Sequence, residues 1–138
     1  MGAPVLISDH VIWTTPAFAA GNFTGNGSMT WTVAAGDVAT FAYAIVGKMM
    51  TVAFSIITTT VGGTPDTLLQ ILIPGGKTST KAMYSAIGQM LDNNVATTGR
   101  INVEAGDTKI YIQRTDLAAF TASTNLTYVR GQITFEIN

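Results

Sequence analysis

Residues 49–57 read MMTVAFSII, and within them Met50, Val52, Phe54 and Ile56 alternate with Thr51, Ala53, Ser55 and Ile57. That repeat of two belongs to a β-strand with one face in a core, because successive strand side chains point to opposite sides. No other feature restricts the fold as much. The run lies inside a longer stretch, residues 41–76, with a β-type run before it and Gly62-Gly63-Thr64-Pro65 after it. A second apolar run follows at 68–73, interrupted by Gln70, and Pro74-Gly75-Gly76 stops it, since proline has no N–H to give a ladder. The spacing predicts that the two runs flanking the Gly-Gly-Thr-Pro turn form a long antiparallel pair.

The remaining segments read the same way. Val5-Leu6-Ile7 and Val11-Ile12-Trp13 are short β-type runs, and residues 1–12 could form an N-terminal arm or edge strand that reaches a neighbouring subunit. Residues 21–28 form a loop rich in Gly and Asn, which tolerate positive φ. Trp31 and Val33 alternate inward before a turn at Ala35-Gly36-Asp37. Ile101 with Val103 and Ile110 with Ile112 pair across a second turn at Ala105-Gly106-Asp107. The last strand puts Val129, Gly131, Ile133, Phe135 and Ile137 on one face, after a connection at 117–125 carrying Phe120. Residues 77–92 stay open. Ala82, Met83, Ala86, Ile87, Met90 and Leu91 would line a helix, but Gly88 costs a helix ~1 kcal/mol and the surroundings favour a strand. About eight short strands with turns every ~8–12 residues make one all-β domain over residues 1–138, an antiparallel β-sandwich of jelly-roll type. The echo of Thr32–Asp37 in Asn102–Asp107 reads as two hairpin turns of like geometry or as a duplicated half-sandwich.

Charge is the unusual part of the composition. Charged residues make up 11% of the chain, against roughly 25% in ordinary soluble domains. Either much surface is buried against other subunits, or Thr, Ser and Asn solvate it. The seven Lys and Arg are scattered singly, so no basic patch exists to displace counterions from nucleic acid. No apolar run reaches the ~18 residues of a membrane-spanning helix, and the first ten residues lack the pattern of a secretory signal. There is no cysteine and hence neither disulfide nor thiolate metal site.

Chemistry is thinly represented. His10 is the single histidine, and a Ser–His mechanism would have to use it from a terminal segment where nothing evident positions it. Asp9, Asp37, Asp66, Asp92, Asp107 and Asp116 sit in turn-like segments, where aspartate ordinarily bonds its own backbone. Asp37 with Asp107 is the pair a glycosidase would need, should the fold place them across one cleft. Gly25-Asn26-Gly27 and Gly62-Gly63 lack the Lys-Ser/Thr ending of a phosphate loop. Trp13 and Trp31 could stack on a sugar or fill a sheet core. The reading is therefore non-enzymatic, with no catalytic residue, cofactor or metal.

The stretch from Tyr43 through Gly47-Lys48, Val52 and Phe54, then Gly-Gly-Thr-Pro and Ile73-Pro74-Gly75, resembles the small β-sandwich modules on tailed-phage virions. So does the ending Gly131-Gln132-Ile133-Thr134-Phe135-Glu136-Ile137. Capsid decoration (cement) proteins, head fibres and tail-fibre knobs carry such modules. The resemblance runs from about Trp31 onward and implies a virion protein, a homotrimer bound to the major capsid protein or other virion proteins, without enzymatic residues. The absence of a shaft repeat favours decoration over a knob. The alternative is a receptor-binding knob that recognises a host glycan or surface protein through loops 21–28 and 117–125. The expected contact residues are Val5, Leu6 and Ile7 of the arm, with Ala53, Ile57 and Tyr111 as apolar groups on otherwise polar faces.

Overall fold

The computed structural model describes residues 11–138. Strands β4 (Met49–Gly63) and β11 (Ser123–Glu136) run antiparallel along almost their whole length and form the spine of one sheet, sheet A. Beside β4 lie β2 (Met29–Thr32) and β3 (Val38–Val46), and beside β11 lie β7 (Gln89–Asp92) and β8 (Val95–Thr97). Sheet B has the order β1 (Phe23–Gly25), β5 (Leu68–Leu72), β10 (Lys109–Arg114), β9 (Gly99–Val103), β6 (Met83–Ala86). The pairings nest: β4 binds β11 in sheet A, while β5 and β10, the strands just inside them in the chain, bind each other in sheet B. The chain is an antiparallel β-sandwich with jelly-roll-like wrapping.

The alternation in β4 does what its sequence dictates. Met50, Val52, Phe54 and Ile56 are all buried. A bulge then changes the phase, because Thr127 lies opposite Thr59 but Val129 lies opposite Ile56, three steps of β4 against two of β11. Thr58 occupies the bulge at φ 53° and donates its hydroxyl to Asp37 Oδ1 at 2.7 Å. Beyond it the buried positions become Thr59 and Val61. Thr59 is a polar group in the core, and it accepts from Trp31 Nε1 (2.8 Å) and donates to the Thr127 carbonyl (2.8 Å). Such a group is tolerated in a core only when bonded in this way.

Several expectations are corrected. The runs flanking Gly62-Gly63-Thr64-Pro65 are not a hairpin, since β4 lies in sheet A and β5 in sheet B. Each supplies an apolar inner face and acts as the other's opposite wall. The crossing starts at Gly63, at φ 68°, where a Cβ would lie 2.2 Å from the Ser28 carbonyl oxygen. Residues 77–92 do contain strand and no helix, as their surroundings favoured: Met83–Ala86 and Gln89–Asp92 lie in different sheets and join at Ile87-Gly88, where Gly88 N–H bonds Arg130 O at 2.9 Å. Asn93 and Asn94, both at positive φ, close the β7–β8 hairpin. Ala105-Gly106 does turn the β9–β10 hairpin, whereas Ala35–Asp37 is a jog within one edge. From Thr32 to Val38 the edge takes six steps while β4 takes four. β11 begins at Ser123, so the connection before it ends earlier than expected.

One ion pair ties that connection down. Asp92 is buried and accepts from Thr121 N–H (2.9 Å), Thr121 Oγ1 (3.0 Å) and Arg114 Nη1 (2.6 Å). Arg114 also forks onto Asp116 at 3.0 and 2.6 Å, which lowers the Asp116 carboxyl to about 2. That fork is therefore complete above the ordinary carboxylate range and opens as pH falls through about 2. Arg114→Ala leaves the Asp92 charge buried without its cation and is expected to cost roughly 3 kcal/mol, read as a lower urea midpoint. Asp116→Asn, at the exposed end of the fork, leaves the midpoint nearly unchanged. Equal effects from the two variants would refute this account of the clamp.

Candidate functional site

Two surfaces stand out, on different sheets. The first is the outer edge of β3. Tyr43 exchanges both backbone bonds with Thr14, at 2.8 and 2.9 Å, so the backbone groups of Phe41 and Ile45, two residues to either side, also point away from β4. Among the described residues nothing bonds to them. The register places Pro16 opposite Phe41, where it has no N–H to offer, and Ile12 opposite Ile45. Trp13 falls beside Ala44, which is buried although it lies on the outer face. Large apolar side chains crowd this edge: Ile12 is 76% exposed and Val46 63%, with Val11, Trp13, Phe18 and Ile45 also exposed. Between residues 15–22 and β3 lies an apolar cavity of about 250 Å³ against Phe18, Phe23, Val38 and Phe41.

The second surface is the outer face of sheet B. One row crosses all five strands in register: Thr24, Gln70, Tyr111, Asn102, Tyr84. Gln70 and Asn102 are 8% and 7% exposed. Gln70 Oε1 accepts from Thr24 (3.1 Å) and Lys109 (3.0 Å), and Asn102 Nδ2 donates to Glu104 (2.8 Å). Tyr84 donates to Glu104 at 2.6 Å and Tyr111 donates to Asp107. Arg100 bonds Gln113 at 3.0 and 2.6 Å and lies 5.9 Å from the centre of the Tyr84 ring. Partial burial, together with the bond to Asp107, pushes the Tyr111 hydroxyl up to about 12. The Glu104 bond raises that of Tyr84.

The expected contact residues do not form one site. Ala53 and Ile57 lie half-buried on the outer face of sheet A, while Tyr111 lies on the opposite side of the sandwich. Val5, Leu6, Ile7 and His10 fall outside the described residues. Asp37 sits in the jog along one edge of sheet A and Asp107 in the β9–β10 turn of sheet B, each bonded to neighbouring backbone and a hydroxyl. They do not share a cleft. Among the described residues no cluster of acidic, His or Cys side chains could hold a metal, and no helix is long and apolar enough to cross a membrane. No family model, curated protein or solved structure matches this chain. The row on sheet B escaped the sequence reading because it depends on register between strands distant in the chain. Its signal was Gln70, the polar exception in an apolar run.

The raised Tyr111 group has a pH consequence. Its folded value lies above the ordinary tyrosine value, so its contribution to stability is complete below about pH 10 and is lost as pH rises through about 12. Alkaline titration followed by phenolate absorbance should show one of the four tyrosines ionising last. Tyr111→Phe should remove that last step and leave the others in place. A last step that persists in the variant would refute the assignment.

Proposed function

We propose that the protein is a non-enzymatic structural subunit of a phage particle, a homotrimeric decoration protein that binds the capsid surface and reinforces the head. The observation that carries the assembly part is the β3 edge, where among the described residues the backbone groups of Phe41 and Ile45 have no partner and large apolar side chains are exposed. Such an edge is a site of association unless something covers it. Low charge supports the same reading, since interface cores are depleted in charged residues. The viral part rests on the resemblance of residues 41–76 and of the C-terminal strand to virion β-sandwich modules. A decoration protein stabilises a shell because it binds the assembled state alone, so its binding free energy adds to that state.

One observation favours the receptor-binding alternative. The loop between β1 and β2 and the connection before β11 meet at one end of the sandwich. There Asn26 Nδ2 donates to Asp66 Oδ2 (3.3 Å) and Phe120 N–H to the Asp66 carbonyl (3.0 Å). Loops gathered on a rigid scaffold are a common place for recognition.

Sedimentation in solution is expected to give three times the 14.5 kDa chain mass. Ile45→Lys, which puts a charge on the exposed edge, is expected to dissociate the assembly and to abolish co-sedimentation with empty capsids. A wild-type chain that stays monomeric at roughly micromolar concentration contradicts the assembly reading.

A further inference from the structure

We infer that the outer face of sheet B is a binding platform for a β-1,4-linked hexose chain, laid across the strands over Tyr84 and Tyr111. It is independent of the assembly proposal, because the platform and the apolar β3 edge belong to different sheets.

The argument begins with how the two rings are held. Tyr111 reaches Asp107, four residues back in the turn before β10, and Tyr84 reaches Glu104, just past the end of β9 and two residues beyond its partner Asn102. Both hydroxyls are thus anchored along the sheet surface. Arg100 lies over the Tyr84 ring, 5.9 Å from its centre, so a sugar stacks there on the ring surface that Arg100 leaves exposed. Tyr84 is 56% exposed and Tyr111 half-buried. Exactly one strand, β9, separates their strands, so they lie two inter-strand steps apart, ~9.6 Å. A β-1,4-linked hexose chain is an extended ribbon that presents the same ring face at every second sugar, over a comparable span. Sugar rings carry C–H groups on their faces and hydroxyls at their rims, which suits an aromatic face bordered by amides.

Those amides are present and have spare capacity. Beside Tyr111 in the row stand Gln70 on one side and Asn102 on the other. Gln70 Oε1 is already taken by Thr24 and Lys109, but its amide N–H groups have no protein partner among the described residues. Asn102 uses Nδ2 on Glu104, and its carbonyl oxygen has no protein partner among the described residues. One donor and one acceptor thus flank the ring, each on a side chain held nearly immobile by burial, so little ordering is needed on binding. The charges argue for a neutral ligand. Arg100 and Lys109 are matched on this face by Glu104 and Asp107, which gives no net positive field for a phosphate backbone or an acidic polymer.

The test is an amide chemical-shift titration of the intact protein with cellohexaose, run in parallel with maltohexaose, whose α-linkage coils the chain. Saturable shifts at residues 70, 84, 102 and 111 are expected with cellohexaose and at least tenfold weaker binding with maltohexaose. Tyr84→Ala, at an exposed position that should not impair folding, is expected to weaken cellohexaose binding at least tenfold. Tyr84→Phe, which keeps the ring, should retain most of it, and Tyr128→Ala on sheet A should change nothing. No saturable shift, equal binding of the two sugars, or shifts confined to residues 26–28 and 115–122 would overturn the platform. The sedimentation mass is unaffected by any of these outcomes, so the assembly reading stands or falls separately.

Discussion

The ladder between β4 and β11 is the constraint on which the rest depends. It pairs Met49 with Glu136 at one end and Val61 with Ser123 at the other, and its inner face carries Met50, Val52, Phe54, Ile56, Val129, Ile133 and Phe135 into the core. Burying one such side chain is worth about 1.5–3 kcal/mol, so the two strands supply much of the apolar burial. Gly131 is the exception on that face, and its lack of a side chain is structural. A Cβ there would lie 2.7 Å from Ile101 Cδ1, so this glycine lets β9 approach the spine where the chain crosses between sheets at Ile87-Gly88.

From that spine the two sides of the molecule diverge. The bulge at Thr58 re-aims β4 and, through the bond to Asp37, fixes the jog that separates β2 from β3. Past the jog β3 has, among the described residues, only Thr14 as a backbone partner on its outer side, and Pro16 offers no N–H to extend the ladder towards Phe41. Sheet B is different in kind. Around the Tyr84–Tyr111 row its outer face is polar, its tyrosines are tethered and its charges are matched, with Leu72 an isolated exposed apolar group, so it makes a smaller demand for an apolar partner. Assembly and ligand recognition, as proposed, therefore use opposite sides of one small sandwich and need not compete.

The sheet class was legible because alternation is local. Met50 to Ile56, Ile101 with Val103, Ile110 with Ile112, and Val129 to Ile137 all face inward as their spacing requires. What could not be read was which strands meet. Gly-Gly-Thr-Pro looks like a hairpin turn, and only the opposing apolar face of β5 turns it into a crossing between sheets. The switch of inward phase at Thr58 is invisible in a run of threonines, since Thr59 is buried through its bonds to Trp31 and Thr127 and not through hydrophobicity. The Tyr84 and Tyr111 row was hidden for the same reason. It joins residues 27 positions apart through a register that no local pattern encodes. The arm at Val5, Leu6 and Ile7 lies outside the described residues, while the exposed apolar run at Val11-Ile12-Trp13 beside it was visible in sequence as a β-type run.

The central claim is that sheet A has a sound spine and one edge that is complete only in an assembly. Residue-resolved amide hydrogen exchange on the intact protein tests it most directly. The account predicts slow exchange along β4 and β11 and, in the assembled protein, equally slow exchange at Phe41 and Ile45, which becomes fast when the assembly is diluted apart. Fast exchange at Ile45 in the assembled protein, with the spine still protected, would contradict it.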